Sequence, residues 1–467
     1  MRDSFYSIFI IFFLSINFSQ PQINLGDVNN DGEVNVIDIV LTIQIVLGNF
    51  IPSESQENAG DFNGDSVIDV LDIVQIVDFI LLHTEECTCD DEPITGSNQD
   101  WGLNFAGDTT VPAFPDAFVN YFTWSIAMEP GQGIKIQGEF ANARYMSYNL
   151  YESTVGQTLN EIFDIQIMPD CCSINPFVET QSMNDNNYYT LYILEEDTPQ
   201  ENYENVFTFP SSIDSLSIFL RYYDASEDNY GGVDLPFITV FDIETEIIIE
   251  DPDVFNLTDL SEVSQFEDIL VPLFPVLQLD NNLRFYNFSS GNVFANANTY
   301  YLATGITRES EDEVYMIRFL PPTFPESVDD YPNSNVRYWS VNQGNEDTRN
   351  FLGMMDQEFV IAQSDGFINI VIAEPTEEIL SHSEGLNFMP WSVPNQYLFL
   401  IYRNLLQQPE YDGHFDQIPL FNQENIGGLQ DLYNFNAVNF IGDYAPVGLR
   451  MTVSEFLENF GGFPVSY

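Results

Sequence analysis

Positive charge is almost missing from this chain of 467 residues. It carries 11 Lys and Arg against 73 Asp and Glu, for a formal net charge of −62, and Lys135 is its one lysine. A surface of that sign repels nucleic acid and anionic lipid and attracts divalent cations. Nucleic acid is therefore excluded as a partner. Histidine is as scarce, with only His83, His382 and His414, scattered along the chain. No H-E-x-x-H, G-x-S-x-G or P-loop pattern occurs, so the signatures of zinc proteases, α/β-hydrolases and nucleotide-binding loops are absent. A glycosidase needs two carboxylates at a set separation. Among 73 acids every spacing occurs, so the acid count identifies no pair. Long apolar runs are lacking too. FYSIFIIFFLSI at 5–16 falls short of the ~20 residues that cross a bilayer. Behind Arg2 it reads as the core of a secretory signal spanning 1–19. The mature chain is expected to hold no transmembrane segment and to be extracellular or at the cell surface.

Cysteine is limited to two close pairs, Cys87/Cys89 and Cys171/Cys172. Export favours oxidation, and no histidine lies near either pair to complete a metal set. All four are disulfide candidates, with three pairings open. Bridges from 87/89 to 171/172 would staple a linker to the region that follows it.

What is present begins with a duplicated acidic loop. GDVNNDGEVNVID at 26–38 offers Asp27, Asn29, Asp31, Glu33, Asn35 and Asp38. GDFNGDSVIDVLD at 60–72 offers Asp61, Asn63, Asp65, Val67, Asp69 and Asp72, starting 34 residues after the first. Calcium takes roughly six to eight oxygen ligands, and a twelve-residue loop supplies them from its alternate positions and its last residue. The seventh position uses its carbonyl, so Glu33 and Val67 need no particular side chain. The sixth must turn sharply. Gly32 suits it, whereas Ser66 would pay roughly 1 kcal/mol or more for a left-handed backbone. Two Ca2+ sites are expected, the second the weaker. An apolar helical stretch follows each loop, IVLTIQIVLG and IVQIVDFILL.

This loop–helix pair, lacking the entering helix of an EF-hand, resembles a type I dockerin over 23–85. The resemblance implies a small all-α module of paired EF-hand-type loops and a cohesin-like partner. Two features depart from it. Dockerins often present Ser or Thr at loop positions 10 and 11, where this chain has Val36, Ile37, Val70 and Leu71. Dockerins also tend to lie at the C-terminal end, and this one follows the leader.

Residues 86–99 are polar, with Pro and Gly, and read as a linker. Beyond them, short runs rich in Tyr, Phe, Ile and Val alternate with Asn, Asp, Gly and Pro, as strands and turns do. Examples are 133–140, 188–196, 216–224 and 236–244. A short helix is expected near 452–460. The region repeats itself weakly. ARYMSYN at 143–149 matches VRYWSVN at 336–342, placing Arg144 against Arg337. A second arginine-bearing run follows in each half, with Arg221 in IFLRYYD and Arg403 in FLIYRNL. Four arginines at matched places in so acidic a chain point to one of two roles. They staple strands through carboxylate or carbonyl partners, or they line a cleft for an acidic ligand.

FPDAFVNYFTWSI (114–126), ARYMSYNLYE (143–152), RYYDASEDNYGGVDLP (221–236), VRYWS (336–340) and NFMPW (387–391) together resemble a poorly characterised bacterial family of unknown function. That resemblance covers about 100–460 and implies a mainly β region of two related sandwich or jelly-roll-like halves, 100–250 and 251–467. Some relatives are held to be hydrolases, and no catalytic residue carries over. The expected whole is an exported calcium-binding protein whose dockerin-like module attaches a β-rich region to a partner or surface. The alternatives are a secreted polysaccharide hydrolase carrying a dockerin, and a structural or adhesion protein of the envelope.

Overall fold

A computed structural model describes residues 25–29, 34, 36–64, 67–82, 101–102, 116–179, 186–200, 203–226, 230–255, 280–287, 294–325, 327–344, 352–359, 365–391, 397–421 and 429–458. The leader at 1–19 and the whole linker at 86–99, with Cys87 and Cys89, lie outside them. The chain divides into two compact units, 1–87 and 88–467.

Among the described residues the first unit has three short helices: α1 (Val36–Val46), α2 (Glu54–Gly60) and α3 (Val70–Leu82). Helices α1 and α3 pack together. Val28, Ala59 and Ile76 form the fully buried centre, with Val34, Ile39, Leu41, Ile45, Phe62 and Ile80 around it. Helix α2 was not expected, because ESQENAG shows no apolar period. Its signal is a cap: the Ser53 N–H donates to Gln56 Oε1 at 3.1 Å, the second half of a capping box. The Gln56 amide then reaches the Val28 carbonyl at 3.0 Å and ties α2 to the first loop.

The second unit is mainly β, with short helices α4 (Glu377–His382), α5 (Leu429–Asn434), α6 (Val438–Ile441) and α7 (Val453–Glu458). Its first nine strands are β1 (Val119–Ala127), β2 (Gln132–Glu139), β3 (Tyr145–Glu152), β4 (Thr158–Phe163), β5 (Tyr188–Glu195), β6 (Val206–Phe209), β7 (Ser215–Tyr223), β8 (Phe237–Asp242) and β9 (Val254–Phe255). They form two sheets, ordered β4-β3-β7-β1-β9 and β6-β5-β2-β8. One apolar core, including Trp124, Ile136, Tyr148, Leu191 and Ile218, fills the space between them.

The next nine are β10 (Asn282–Arg284), β11 (Thr299–Thr307), β12 (Glu313–Phe319), β13 (Tyr338–Gly344), β14 (Leu352–Met355), β15 (Ile368–Ala373), β16 (Asn387–Pro390), β17 (Tyr397–Leu405) and β18 (Val447–Thr452). They too form two sheets, ordered β10-β18-β12-β15-β16 and β11-β17-β13-β14. A second core lies between these, with Leu302, Ile317, Trp339, Ile370 and Tyr402. Nearly all pairings are antiparallel. The exceptions are β5 with β6 and β15 with β16, at corresponding places in the two sheet pairs.

Antiparallel strands usually bury one face. Here β3, β7 and β13 are buried on both faces almost throughout. The second face meets the other sheet pair. Val119, Tyr145, Phe163, Tyr223, Tyr338, Met355 and Leu405 cluster there, and the Tyr223 and Tyr338 rings meet edge-on at 5.3 Å. Asn342 on β13 accepts the Ala117 N–H at 2.9 Å and donates to Ser340 Oγ at 2.9 Å. Held at both ends, its side chain lies over Gly353, where a Cβ would run into it. Gly353→Ala should therefore cost about 1–3 kcal/mol, the usual cost of overpacking, read as a lower midpoint in chemical denaturation.

Candidate functional site: the loop carboxylates and the arginine array

In the first unit the last acid of each loop sits in the first turn of a helix, Asp38 in α1 and Asp72 in α3, and both are fully buried. Each folds back over its own loop. Asp38 Oδ1 accepts the Asn29 N–H at 2.9 Å, and Asp72 Oδ1 accepts the Asn63 N–H at 3.1 Å, nine residues apart in both cases. Asp72 Oδ2 also accepts the Asp69 N–H at 2.7 Å. Asp27 is buried as well. Asp61, Asn63, Val67 and Asp69 lie along the second loop, while Asp31, Glu33, Asn35 and Asp65 lie outside the described residues. Among the described residues no three acidic, histidine or cysteine side chains gather closely enough to hold a metal. The donor set is all oxygen and carboxylate-rich, which suits a hard divalent cation. Val36, Ile37, Val70 and Leu71 are 63%, 61%, 61% and 56% exposed, so the apolar pair after each loop faces outward.

In the second unit the repeated Arg-Tyr-x-Ser-x-Asn runs along β3 and β13. Their period of two puts Tyr145, Ser147 and Asn149, and likewise Tyr338, Ser340 and Asn342, on the face turned toward the other sheet pair. The arginines just before the strands reach across. Arg144 donates to Asp356 in the second sheet pair and also pairs with Asp224 at 3.0 Å. Arg337 donates to Asp164 in the first, at 2.8 Å, and to the Arg144 carbonyl at 2.9 Å. Each aspartate opens a single 3-10 turn after a matching strand, β4 or β14. Each also accepts a strand N–H, Asp164 from Met146 at 2.7 Å and Asp356 from Trp339 at 3.2 Å. The exchange is reciprocal. Burial raises the Asp164 carboxyl above its ordinary range, and the Arg337 guanidinium and backbone N–H donors pull it back.

The other two arginines lie deeper, and both are buried. Arg221 donates to Asn149 and to the Phe294 carbonyl at 2.8 Å. Arg403 stands 3.9 Å from Asp116, which also accepts the hydroxyls of Tyr338 and Ser340. All four predicted arginines thus come together at one internal boundary. Their partners Asp116, Asp164 and Asp356 were not foreseen. The available signal was FDIQ at 163–166 against MDQE at 355–358, where the fourth residue accepts the first residue's N–H in both turns. His414 Nδ1 accepts the Asp416 N–H at 3.2 Å, and burial lowers its pKa below the ordinary range. His382 ends α4 and stacks edge-on against Phe456. Cys171 and Cys172 are both disulfide-bonded.

A dockerin type I domain model matches residues 25–81. Domains of that class generally bind calcium and cohesins. No curated protein matches the sequence. Two solved structures are matched at low similarity. One is a putative uncharacterized protein from Burkholderia cenocepacia, 12% identical, TM-score 0.44, covering 73% of this chain and 78% of its own. The other is the VPA0106 protein from Vibrio parahaemolyticus, 12% identical, TM-score 0.35, covering 64% and 87%. Likenesses of this depth bear on neither activity nor partner. Among the described residues no helix is long and apolar enough to cross a membrane.

Two measurements check this geometry. Breaking a buried pair leaves an uncompensated charge, at about 3–5 kcal/mol. Arg337→Met should lose that much stability, and Arg337→Met with Asp164→Leu should recover most of it. Asp170, next to the cystines, accepts the Thr190 hydroxyl at 3.0 Å. Burial pushes its pKa up to about 6, the Thr190 bond opposes this, Glu204 adds to it and Lys135 opposes it. A carboxyl raised in the folded state stabilises below its unfolded pKa and loses that contribution as pH rises through the folded one. Asp170→Asn should therefore stabilise the protein at pH 8 by up to about 3 kcal/mol and change nothing near pH 3.

Proposed function

We propose that the chain is an exported, calcium-dependent attachment protein. Residues 23–85 form a dockerin-like module with two Ca2+ sites. Residues 86–99 link it to two related β-sandwich modules, expected at 100–250 and 251–467; because β9 pairs with β1, the second begins after β9. The observation that carries this reading is the duplicated carboxylate: Asp38 and Asp72, each buried and each turned back on an amide nine residues earlier. Asp27, Asn29, Asp31, Asn35 and Asp38 hold the first ion with the Glu33 carbonyl. Asp61, Asn63, Asp65, Asp69 and Asp72 hold the second with the Val67 carbonyl. The outward apolar pairs Val36/Ile37 and Val70/Leu71 replace the polar residues that dockerins often present, so the cohesin-like partner meets this module through apolar surface. In the β region the four arginines join the modules to each other rather than bind an acidic ligand, because every one is bonded within the protein.

Calorimetric titration of the full chain tests the reading. Two calcium-binding events are expected, with the site bearing Ser66 the weaker. Asp38→Ala and Asp72→Ala should each remove one, at a loss of tenfold or more in affinity. A chain that takes up no calcium at millimolar concentration, with both aspartates intact, would sink the assignment.

A further inference from the structure

The second loop carries Asn63-Gly64, the only Asn-Gly dipeptide in the chain. The structure anchors the residues up to the asparagine and leaves the glycine open. Phe62 packs on Phe79, with ring centroids 5.8 Å apart, and lies against Gly26. The Asn63 N–H is fixed on Asp72 Oδ1 at 3.1 Å. Gly64 is exposed and left-handed, with φ +71°. Its N–H donates to no group among the described residues. The matching dipeptide of the first loop is Asn29-Asn30, where a side chain follows the asparagine.

That arrangement suits one reaction. Asparagine is among the chemically labile residues, and its loss runs through the next amide nitrogen. The Gly64 nitrogen gives its proton to solvent base and adds to Asn63 Cγ. The new C–N bond closes a five-membered imide as the Cγ–Nδ2 bond breaks, and ammonia leaves with a proton returned from solvent. Water then adds to either imide carbonyl and opens the ring, leaving an aspartyl residue or its isoaspartyl isomer. Glycine has no Cβ to obstruct the approach. Exposure supplies the water, and an N–H with no acceptor gives up its proton without first breaking a hydrogen bond.

The reaction bears on calcium, because position 63 is the third of its loop and a ligand position. A ligating Oδ1 fixes the side-chain torsions of Asn63, and ring closure requires them to turn. Of the two products, the aspartyl side chain adds a carboxylate to the loop. The isoaspartyl link lengthens the loop backbone by a methylene and shifts its alternate-position spacing.

We propose that Asn63 is a self-modification site, deamidated through the Gly64 nitrogen when the second loop is empty and preserved when that loop holds calcium. The proposal rests on the calcium reading and adds to it a chemical record of time spent without the ion.

The test incubates the full chain in mildly alkaline buffer, with chelator or with calcium, and follows residue 63 by mass spectrometry of its peptides. In chelator, residue 63 should gain the mass of an amide-to-acid conversion, faster than Asn29 does. At calcium about ten times the Kd of the second site, the unliganded fraction, and with it the rate, should fall about tenfold. Asp72→Ala should lose that protection and Asp38→Ala should keep it, which separates the second loop from general folding of the module. The proposal is overturned if Asn63 keeps its amide in chelator, or if both variants respond alike. Calorimetry on the same samples tells its failure from that of the calcium reading. A chain that takes up two ions yet converts at an unchanged rate refutes the protected site alone. A chain that takes up none refutes the calcium sites, and the protection with them.

Discussion

The reciprocal exchange of Arg144 and Arg337 with Asp356 and Asp164 is the constraint on which the β region depends. Each arginine leaves its own sheet pair to meet an acid of the other, and each acid is fully buried. Two charges brought out of water stabilise little by themselves, yet separating them is severe. The pairs therefore act less as glue than as a register device. They fix how one sheet pair sits on the other, because any slip would strand a buried guanidinium and a buried carboxylate together. Around them, Asp116 gathers two hydroxyls and faces Arg403, while Arg221 takes Asn149 and a carbonyl. The boundary is polar, but its groups are extensively bonded.

That boundary explains the odd texture of the strands. In β3 and β13, apolar residues face one core while Tyr, Ser and Asn alternate with them, as on a solvated strand. The alternate face is buried instead. The acidic surface has a matching logic. A net charge of −62 repels itself, and the four matched arginines are turned inward to tie the fold.

Much of the fold was legible. The strands at 133–140, 188–196, 216–224 and 236–244 appear as β2, β5, β7 and β8, and the helix near 452–460 as α7. The arginine repeat stood out because arginine is rare here, but it was read as a staple within strands or a cleft lining, whereas the four side chains meet between the two sheet pairs. The acids on the other end of those bonds were illegible for the converse reason: among 73, three buried aspartates carry no mark. Helix α2 escaped because caps and one cross-contact hold it, not an apolar stripe. The burial of Trp339, Tyr402 and Asn404 in the second core could not be read either.

The two units should also behave as separate cooperative bodies, one governed by calcium and one by the arginine–aspartate exchange. Scanning calorimetry of the full chain, with calcium and with chelator, tests that most directly. The expected result is a small transition that moves upward with calcium. Beside it stands one large transition for 88–467 that calcium leaves in place, with calorimetric and van't Hoff enthalpies equal. A β region melting in two separate steps would show that the exchanged pairs do not couple its halves. A large transition that follows calcium would contradict the assignment of the ions to the first unit.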